Sequence, residues 1–436
     1  MERRKFLGTL PYAVGGTLAA GSLPSHAQVQ TQSAANYVSV KSFGAVGDGV
    51  TDDTAALQAA INASAGKSLF FPDGIYRISA ALAIATGIEL IGAGSASVTI
   101  SQSAPSTGVF WINCGSNILT GITLRGFTLD NNGGGSGSCY GVDQSVLSGG
   151  TVYNLSLQDI VVASGLPGGV RLRSVYYGVI EHVAVDKVGL QDGGLVLRGV
   201  DAQSKIVNVR VQNLSVRSGN GGYGIYIGSH AEGLQFFMCL LESSGLATSV
   251  NIVNDLGAPR PPENLFFSQV ICDSPQRNGL VINGCYSANF VDCWFASATG
   301  PAANAVGHGI YVLSGNEIVF NACRILNNAN DGARIDAGGQ FVKFMGCSVY
   351  SNGTSGANTC DGIAFRPGAS DFEVLGCNFA RANTIPSQRY SVSVFHGVSD
   401  RYIISNNLMG GAVTSGLFDG GTGANKAIGG NVLAGP

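Results

Sequence analysis

Residues 318–325 read IVFNACRI, an apolar-x-apolar-x-x-small-x-apolar pattern that recurs along the chain. Further copies are ITLRGFTL from Ile122, LSLQDIVV from Leu155, VRVQNLSV from Val209 and FEVLGCNF from Phe372. The sixth position of the pattern forms a ladder at steps of 23–33 residues: Phe127, Ile160, Val183, Leu214, Cys239, Val270, Cys293, Cys323, Cys347, Cys377 and Asn407. Self-similarity at such a period is the signature of a repeat architecture.

A second pattern, Gly-apolar-x-apolar, falls between copies of the first, as in GVRL from Gly169, GIYI from Gly224 and GARI from Gly332. Each unit therefore contains two short strands, and we expect the glycine to open the second strand at a sharp bend. One strand pair cannot bury its apolar face alone, whereas stacked units can. The repeat predicts an all-β fold, a right-handed parallel β-helix of about ten to twelve coils.

The composition excludes several classes of protein. The 436 residues include 64 glycines, only 12% are charged, and the net charge is −3. Without a basic field, nucleic acid is not an expected partner. A chain with 45% apolar residues has enough apolar surface to fold, which argues against disorder. No apolar run reaches the roughly 20 residues of a membrane-spanning helix.

The N-terminus has the features of an export signal. Arg3-Arg4, followed by Phe6-Leu7 and a Gly- and Ala-rich stretch, resembles a twin-arginine export signal. We expect cleavage after Ala27 and a periplasmic or extracellular protein. The expected organisation is a signal at 1–27, a linker at 28–37, an N-terminal cap and first coils at 38–100, the β-helix at 101–409, and a Gly-rich cap or tail at 410–436.

The stretch from Thr51 to Ala65 is the best helix candidate, with Thr51 or Asp52 as its cap and Leu57 and Ile61 on one side. We expect it to cover the N-terminal end of the rod. The acids around it then serve helix capping rather than calcium binding, because the spacing of a hand-type calcium loop is absent.

The segments Phe43-Gly44-Ala45, residues 47–58 (GDGVTDDTAALQ) and residues 69–76 (LFFPDGIY) resemble the opening module of the pectate-lyase-like, polygalacturonase-related β-helix superfamily. The resemblance covers about residues 38–100 and implies a β-helix that acts on, or holds, long polysaccharides. It does not choose a reaction, because the superfamily includes lyases, hydrolases, epimerases and phage tailspikes. Related rods occur as monomers and as trimers, so either a monomer or a homotrimer is expected.

Five of the ten cysteines occupy the ladder, where other coils use Val, Ile or Leu. We expect these to be buried free thiols, because side chains stacked in parallel have poor torsion for a disulfide.

The residue before each Gly-apolar-x-apolar strand forms a second line: Tyr223, Thr248, Asn278, His308, Asp331, Asp361 and Tyr390. His308, Asp331 and Asp361 are expected to lie about 5 Å apart per coil, on the outside of the rod. Two carboxylates so close do not titrate independently, which suits a general acid beside a base or nucleophile. The alternative is turn chemistry, because Asn-Asp-Gly is an ordinary turn sequence.

Gly307-His308-Gly309 also resembles a polygalacturonase motif, and the sequences around Asp331 and Asp361 match that family's motifs in part. The resemblance implies catalytic roles for His308, Asp331 and Asp361. The order is reversed, however, and the family's paired Asp-Asp and its Arg-Ile-Lys are absent.

Substrate-binding roles are expected for aromatic and cationic residues beside that line and for Asn278 and Tyr390 within it. Tyrosines stack on sugar rings and arginines bind uronate carboxylates. The candidates are Tyr226, Tyr311, Arg334, Arg366, Asn278 and Tyr390.

Three functions remain open from the sequence. The first is an exported glycoside hydrolase that uses Asp331 and Asp361, with His308 in support. The second is a polysaccharide lyase in which Arg334, Arg366, His308 and Tyr390 carry the reaction. The third is a non-catalytic polysaccharide-binding rod. No cofactor or metal is expected, except calcium if the protein is a lyase.

Overall fold

The structure is a computed structural model that describes residues 37–433 apart from 105–107, 132–138, 164–165, 167, 187–192, 218–220, 243–244, 301–305 and 381–386. The expected export signal and nearly all of the linker lie outside the described residues. Strands pair in parallel with the strand of the next coil, and three long faces run along the rod. The predicted all-β parallel β-helix is confirmed.

Sheet 1 contains the Gly-apolar-x-apolar strands. Its described members number thirteen, slightly more than the ten to twelve coils expected: Leu82–Ile84, Gly108–Gly115, Tyr140–Val146, Gly168–Leu172, Gly193–Leu197, Tyr223–Ile227, Thr248–Val253, the first part of Asn278–Val291, Ile310–Asn321 and Ala333–Met345, then Ile363–Phe365, Tyr390–Gly397 and Ser415–Gly421. Ser415–Gly421 in this sheet and Lys426–Gly429 in sheet 2 show that the expected C-terminal cap or tail contributes strands to the β-helix.

Sheets 2 and 3 hold the two halves of the eight-residue pattern. Sheet 2 begins with Val38–Ser39, Ser68–Phe71, Ile88–Gly92 and the first parts of Ile118–Asn131, Thr151–Val162 and Val179–Asp186. It continues with Arg210–Gln212, Gln235–Phe237 and Glu263–Ser268, and then with the second parts of Asn278–Val291, Ile310–Asn321 and Ala333–Met345. Its last strands are Ser370–Leu375, Tyr402–Ser405 and Lys426–Gly429. Sheet 3 consists of Asp48–Asp52, Gly74–Ile78, Val98–Gln102, the ends of the strands from Ile118, Thr151 and Val179, then Ser215–Arg217, Leu240–Glu242, Ile271–Asp273, Trp294–Ala296, Arg324–Leu326 and Ser348–Tyr350. Three short strands, Val175–Tyr176, Ile206–Val207 and Ala231–Glu232, pair with one another in parallel and precede the sheet 2 strands of their coils in the chain.

The core consists of side chains stacked on their copies in the next coil. Every residue of the sequence-predicted ladder is buried, including its five cysteines, and these five are free thiols. Beside them runs a stack of phenylalanines whose ring centroids are 4.6–5.0 Å apart: Phe236, Phe267, Phe290, Phe320 and Phe344. That spacing matches the strand separation in a sheet, so one register aligns backbone and rings together.

The glycines that open the sheet 1 strands pack closely against the next coil. Gly169 and Gly332, for example, do not have positive φ. A Cβ at Gly332 would lie 2.5 Å from the carbonyl oxygen of Gly362 in the next coil, and one at Gly169 would lie 2.0 Å from that of Gly194. At these positions the adjacent coil excludes a side chain, and the expected sharp bend stays a prediction.

The first α-helix is Thr54–Ala63, shorter than the expected Thr51–Ala65, and a 3₁₀ turn, Val40–Phe43, precedes it. Leu57 and Ile61, the residues expected on one side of the helix, are both buried. Asp52 accepts a hydrogen bond from the backbone N–H of Thr54 at 3.0 Å, so it satisfies the start of the helix. That the helix covers the end of the rod stays a prediction. Among the described residues no helix is long and apolar enough to cross a bilayer.

Candidate functional site

The polar line before the sheet 1 strands has the predicted register. Pairing of the strands that follow it places His308, Asp331 and Asp361 in three consecutive coils. Their side chains, however, are buried, with relative exposures of 3%, 2% and 0%. The expected position on the outside of the rod is wrong, because the wall encloses all three side chains, and the two carboxylates accept their hydrogen bonds there.

Part of this line is a hydrogen-bond ladder between coils. The side chain of Asn278 accepts the backbone N–H of His308 at 3.0 Å. Asp331 accepts the N–H of Asp361 at 2.8 Å, and Asp361 accepts that of Tyr390 at 3.3 Å. Each acceptor satisfies a backbone donor at the same position of the next coil, as buried donors require. This is turn chemistry extended between coils.

Asp361 has a full set of partners. Its oxygens accept two hydrogen bonds from Arg389, at 3.0 and 2.8 Å, and one from the Ser393 hydroxyl at 2.6 Å. Burial raises the pKa of Asp361, and the hydrogen bond from Arg389 opposes that rise. With no exposed surface, this carboxylate reaches no substrate in the observed arrangement.

Asp331 lies between a guanidinium and an imidazole. Its Oδ2 is 3.1 Å from Nη2 of Arg366 and 3.6 Å from Nδ1 of His308. Burial raises the pKa of Asp331, and Arg366 opposes that rise. Burial, together with Arg334 and Arg366, lowers the pKa of His308 to about 3. His308 is therefore a neutral imidazole, and neither ring nitrogen has a hydrogen-bond partner among the described residues.

The half-exposed rim of this cluster contains Tyr311, Arg334 and Asp336. Both the Tyr311 hydroxyl and the Arg334 Nε donate to the carboxylate of Asp336, at 2.9 Å each. The guanidinium of Arg334 lies 5.0 Å from the Tyr311 ring centroid. Three of the predicted substrate-binding side chains, Tyr311, Arg334 and Arg366, thus lie around the His308–Asp331 pair.

The other predicted substrate-binding residues are placed differently. Asn278 is buried in the hydrogen-bond ladder. The ring of Tyr390 stacks on that of Phe418, with centroids 5.1 Å apart. Tyr226 precedes Tyr311 by three coils of sheet 1, a distance of roughly 14 Å.

A cavity of about 160 Å³ around Tyr226 contains residues that the sequence reading missed. Its lining is formed by Arg171, Leu172, Arg173, Val196, Arg198, Tyr223 and Tyr226. The signal was present in the sequence. Arg171 and Arg173 are two residues apart and share a face of the strand, and the register places Arg198 beside Arg173. Below, this is called the arginine cavity.

The described residues hold no group of three or more His, Cys, Asp or Glu side chains able to bind a metal ion. The acids near the first helix bind backbone instead. Asp53 accepts from the N–H groups of Val46 and Gly47, and Asp48 accepts from those of Val50 and Thr51.

Two family models match parts of the chain. Residues 37–132 match rhamnogalacturonase A/epimerase, pectate lyase-like, and residues 262–433 match the right handed beta helix region. Among curated proteins, the glucan 1,3-beta-glucosidase of Cochliobolus carbonum is 41% identical over 70 residues, 16% of this chain and 9% of that protein. Mannuronan C5-epimerase AlgE2 of Azotobacter vinelandii is 44% identical over 71 residues, 14% of this chain and 7% of that protein. A capsule-specific depolymerase of Klebsiella phage K5-2 is 51% identical over 61 residues, 13% of this chain and 8% of that protein.

Solved structures match over most of the chain. The A-module of Azotobacter vinelandii mannuronan C-5 epimerase AlgE6 has a TM-score of 0.65 at 19% identity and covers 92% of this chain and 100% of its own. The N-terminal fragment of bacteriophage phi29 gene product 12 has a TM-score of 0.59 at 16% identity, with 88% and 71% covered. These likenesses show the fold alone, and the three curated matches given above each span less than a tenth of the relative's length. Together the comparisons show a right-handed parallel β-helix, and its N-terminal part, residues 37–132, is similar to a pectate-lyase-like family model.

Proposed function

We propose that this protein is an exported enzyme that acts on a uronate-containing polysaccharide bound along the outer face of sheet 1. The observation that carries the proposal is the row of half-exposed side chains on that face, in which Arg171, Tyr226, Tyr311 and Arg334 share one register position. Tyrosine faces suit sugar rings and guanidinium groups suit carboxylates. The curated relatives include a glucosidase, epimerases and a depolymerase, whose names agree with a polysaccharide substrate.

The reaction proposed first is β-elimination at a uronate. A base takes the proton from C5, the C4=C5 double bond forms as the C4–O4 bond breaks, and O4 leaves with the departing chain and takes a proton from water. Removal of the proton beside a carboxylate needs a cation that neutralises that carboxylate and a base that accepts the proton. Arg334 and Arg366 are the cations. His308, a neutral imidazole, is the base, and the Asp331 carboxylate, 3.6 Å from its Nδ1, balances the imidazolium that forms when it takes the proton. Because His308 is 3% exposed, the bound glycan has to open the contact with Tyr311, whose ring centroid is 5.5 Å from that of the imidazole.

Hydrolysis by Asp331 and Asp361 is the second candidate. The observation in its favour is that burial raises the pKa of both carboxyls, which lie in adjacent coils. The observation against it is that Asp361 is held by Arg389, Ser393 and a backbone N–H, so it is not free to transfer a proton. We therefore assign Asp361 a structural role in the proposed mechanism.

A panel of polyuronates and neutral glycans tests the proposal. Reducing ends and ultraviolet absorbance are recorded together, with and without chelator, since elimination leaves a conjugated double bond and a lyase can require calcium. We expect absorbance on a polyuronate, lost in Arg334→Gln and retained in the matched variant Arg210→Gln on sheet 2. Reducing ends without absorbance would replace elimination by hydrolysis, and binding without any product would leave the non-catalytic rod.

A further inference from the structure

The arginine cavity carries an excess of positive charge. Arg171 makes a two-pronged ion pair with Asp143, with Nε–Oδ1 at 2.7 Å and Nη2–Oδ2 at 2.8 Å. Arg198 pairs with Asp255, with Nε–Oδ2 at 2.5 Å. The guanidinium of Arg173 has neither a hydrogen bond nor an ion pair to any described residue. Three guanidinium groups therefore face two carboxylates, and the third is the free one.

Arg173 is also held in an unfavourable place for a cation. It is half-buried, and burial lowers its pKa, as do the neighbouring charges of Arg171 and Arg198. This cation has no partner, is partly removed from water and is repelled by two other cations. A bound anion would therefore stabilise its charged form. The fold thus presents a half-buried guanidinium whose natural complement is missing from the described residues.

The walls of the cavity suit a sugar ring that bears the anion. Tyr223 and Tyr226 form one side, with ring centroids 5.4 Å apart, and the Tyr226 hydroxyl is oriented by its hydrogen bond to Asp255. Gly228 leaves room for the neighbouring arginine, since a Cβ there would lie 2.6 Å from Cγ of Arg198. About 160 Å³ is small beside the roughly 300–1,000 Å³ of pockets that enclose a drug-sized ligand. The cavity fits one charged group with its ring rather than a length of chain.

We propose that the arginine cavity is a carboxylate-binding subsite that takes one hexuronate unit, with Arg173 paired to the carboxylate and the two tyrosines against the ring. A planar carboxylate matches the planar fork of a guanidinium in two parallel hydrogen bonds. The inference rests on the proposed function for the polymer to which the hexuronate belongs. Sheet 1 places Arg171 five coils before Tyr311, or roughly 24 Å, so one extended glycan reaches both positions.

The test measures binding without turnover. The purified chain is titrated by calorimetry with D-galacturonate and D-glucuronate, with D-galactose and D-glucose as neutral matches, and with inorganic sulfate as an anion without a ring. We expect the acidic sugars to bind at least about tenfold tighter than both controls, and Arg173→Gln to lose at least about tenfold of that affinity. The exposed Arg210→Gln removes the same charge outside the cavity and should leave the affinity unchanged.

A second variant fills the cavity from the backbone side. Gly228→Ala is expected to displace Arg198 and weaken hexuronate binding, while Arg173→Gln keeps the fold because the side chain has no partner to lose. Thermal unfolding checks that both variants are folded. No hexuronate binding by the wild type, equal affinity for sulfate or neutral sugars, or an unchanged affinity in folded Arg173→Gln would each overturn the inference.

The result also separates this inference from the proposed function. Turnover of a polyuronate with hexuronate binding that does not depend on Arg173 would refute the subsite and leave the enzyme. Hexuronate binding that depends on Arg173, without product from any polyuronate, would refute the enzyme and leave the subsite.

Discussion

Asp361→Asn distinguishes a catalytic carboxyl from a structural one. The substitution keeps the size of the side chain and removes its charge. In the wild type the carboxylate is fully buried and accepts hydrogen bonds from Arg389, Ser393 and the Tyr390 backbone. We expect a loss of stability, because the substitution leaves Arg389 without its counter-charge.

The structure bounds the size of that loss. Breaking a buried ion pair costs about 3–5 kcal/mol. The Arg389 side chain is 29% exposed, so water still hydrates part of the guanidinium. The asparagine introduced in place of Asp361 also keeps one acceptor oxygen. We therefore expect the free energy of unfolding to fall by about 2–3 kcal/mol.

Asp371→Asn is the matched control. Asp371 makes the same two-pronged contact with Arg401, at 2.6 Å for both hydrogen bonds, but the Arg401 side chain is 59% exposed. Because water screens the exposed Arg401, we expect Asp371→Asn to lose less stability than Asp361→Asn. Urea unfolding of both variants and the wild type measures the difference. Equal stability of Asp361→Asn and the wild type, with activity lost, would refute the structural assignment and restore Asp361 as a catalytic candidate.

Three further predictions concern other parts of the chain. The pKa of His308 is lowered to about 3, so its imidazole is neutral in the folded protein, and the stability that it contributes above pH 6.5 is lost as the pH falls. From pH 7 to pH 5, the free energy of unfolding of the wild type in urea should fall by about 2 kcal/mol more than that of His308→Gln. Equal losses in the two proteins would contradict this prediction. Gly332→Ala should destabilise by about 1–3 kcal/mol, because its Cβ would lie 2.5 Å from a carbonyl oxygen of the next coil. Gly429→Ala is its control, because a Cβ at Gly429 would have no atom within 4 Å. Equal losses of stability in the two variants would show that the adjacent coil moves to accommodate the added Cβ at Gly332. A bulky thiol reagent should label one cysteine in the folded chain, the half-exposed Cys360, and all ten after unfolding; several labelled thiols in the folded chain would argue against the buried ladder.

The resemblance in residues 38–100 and the repeat together were sufficient to predict the architecture. A period-two alternation specifies a strand, and a repeat near one coil in length specifies which strand it pairs with. For that reason the ladder from Phe127 to Asn407 and the alignment of His308 with Asp331 and Asp361 could be predicted without coordinates. Both depend on the spacing of residue types along one chain.

The surroundings of those residues depended on the tertiary structure. The sequence around Asp361 gives no sign of Arg389, which lies 28 residues later and reaches it only through stacking of the coils. In the same way, the glycines at the strand starts are explained by a carbonyl of the adjacent coil. That Arg173 has no carboxylate partner is visible only in the structure, which pairs Arg171 with Asp143 and Arg198 with Asp255. A repeat determines which residues become neighbours. Burial, pairing and net charge at a site are sums over several coils, so only the folded structure decides them.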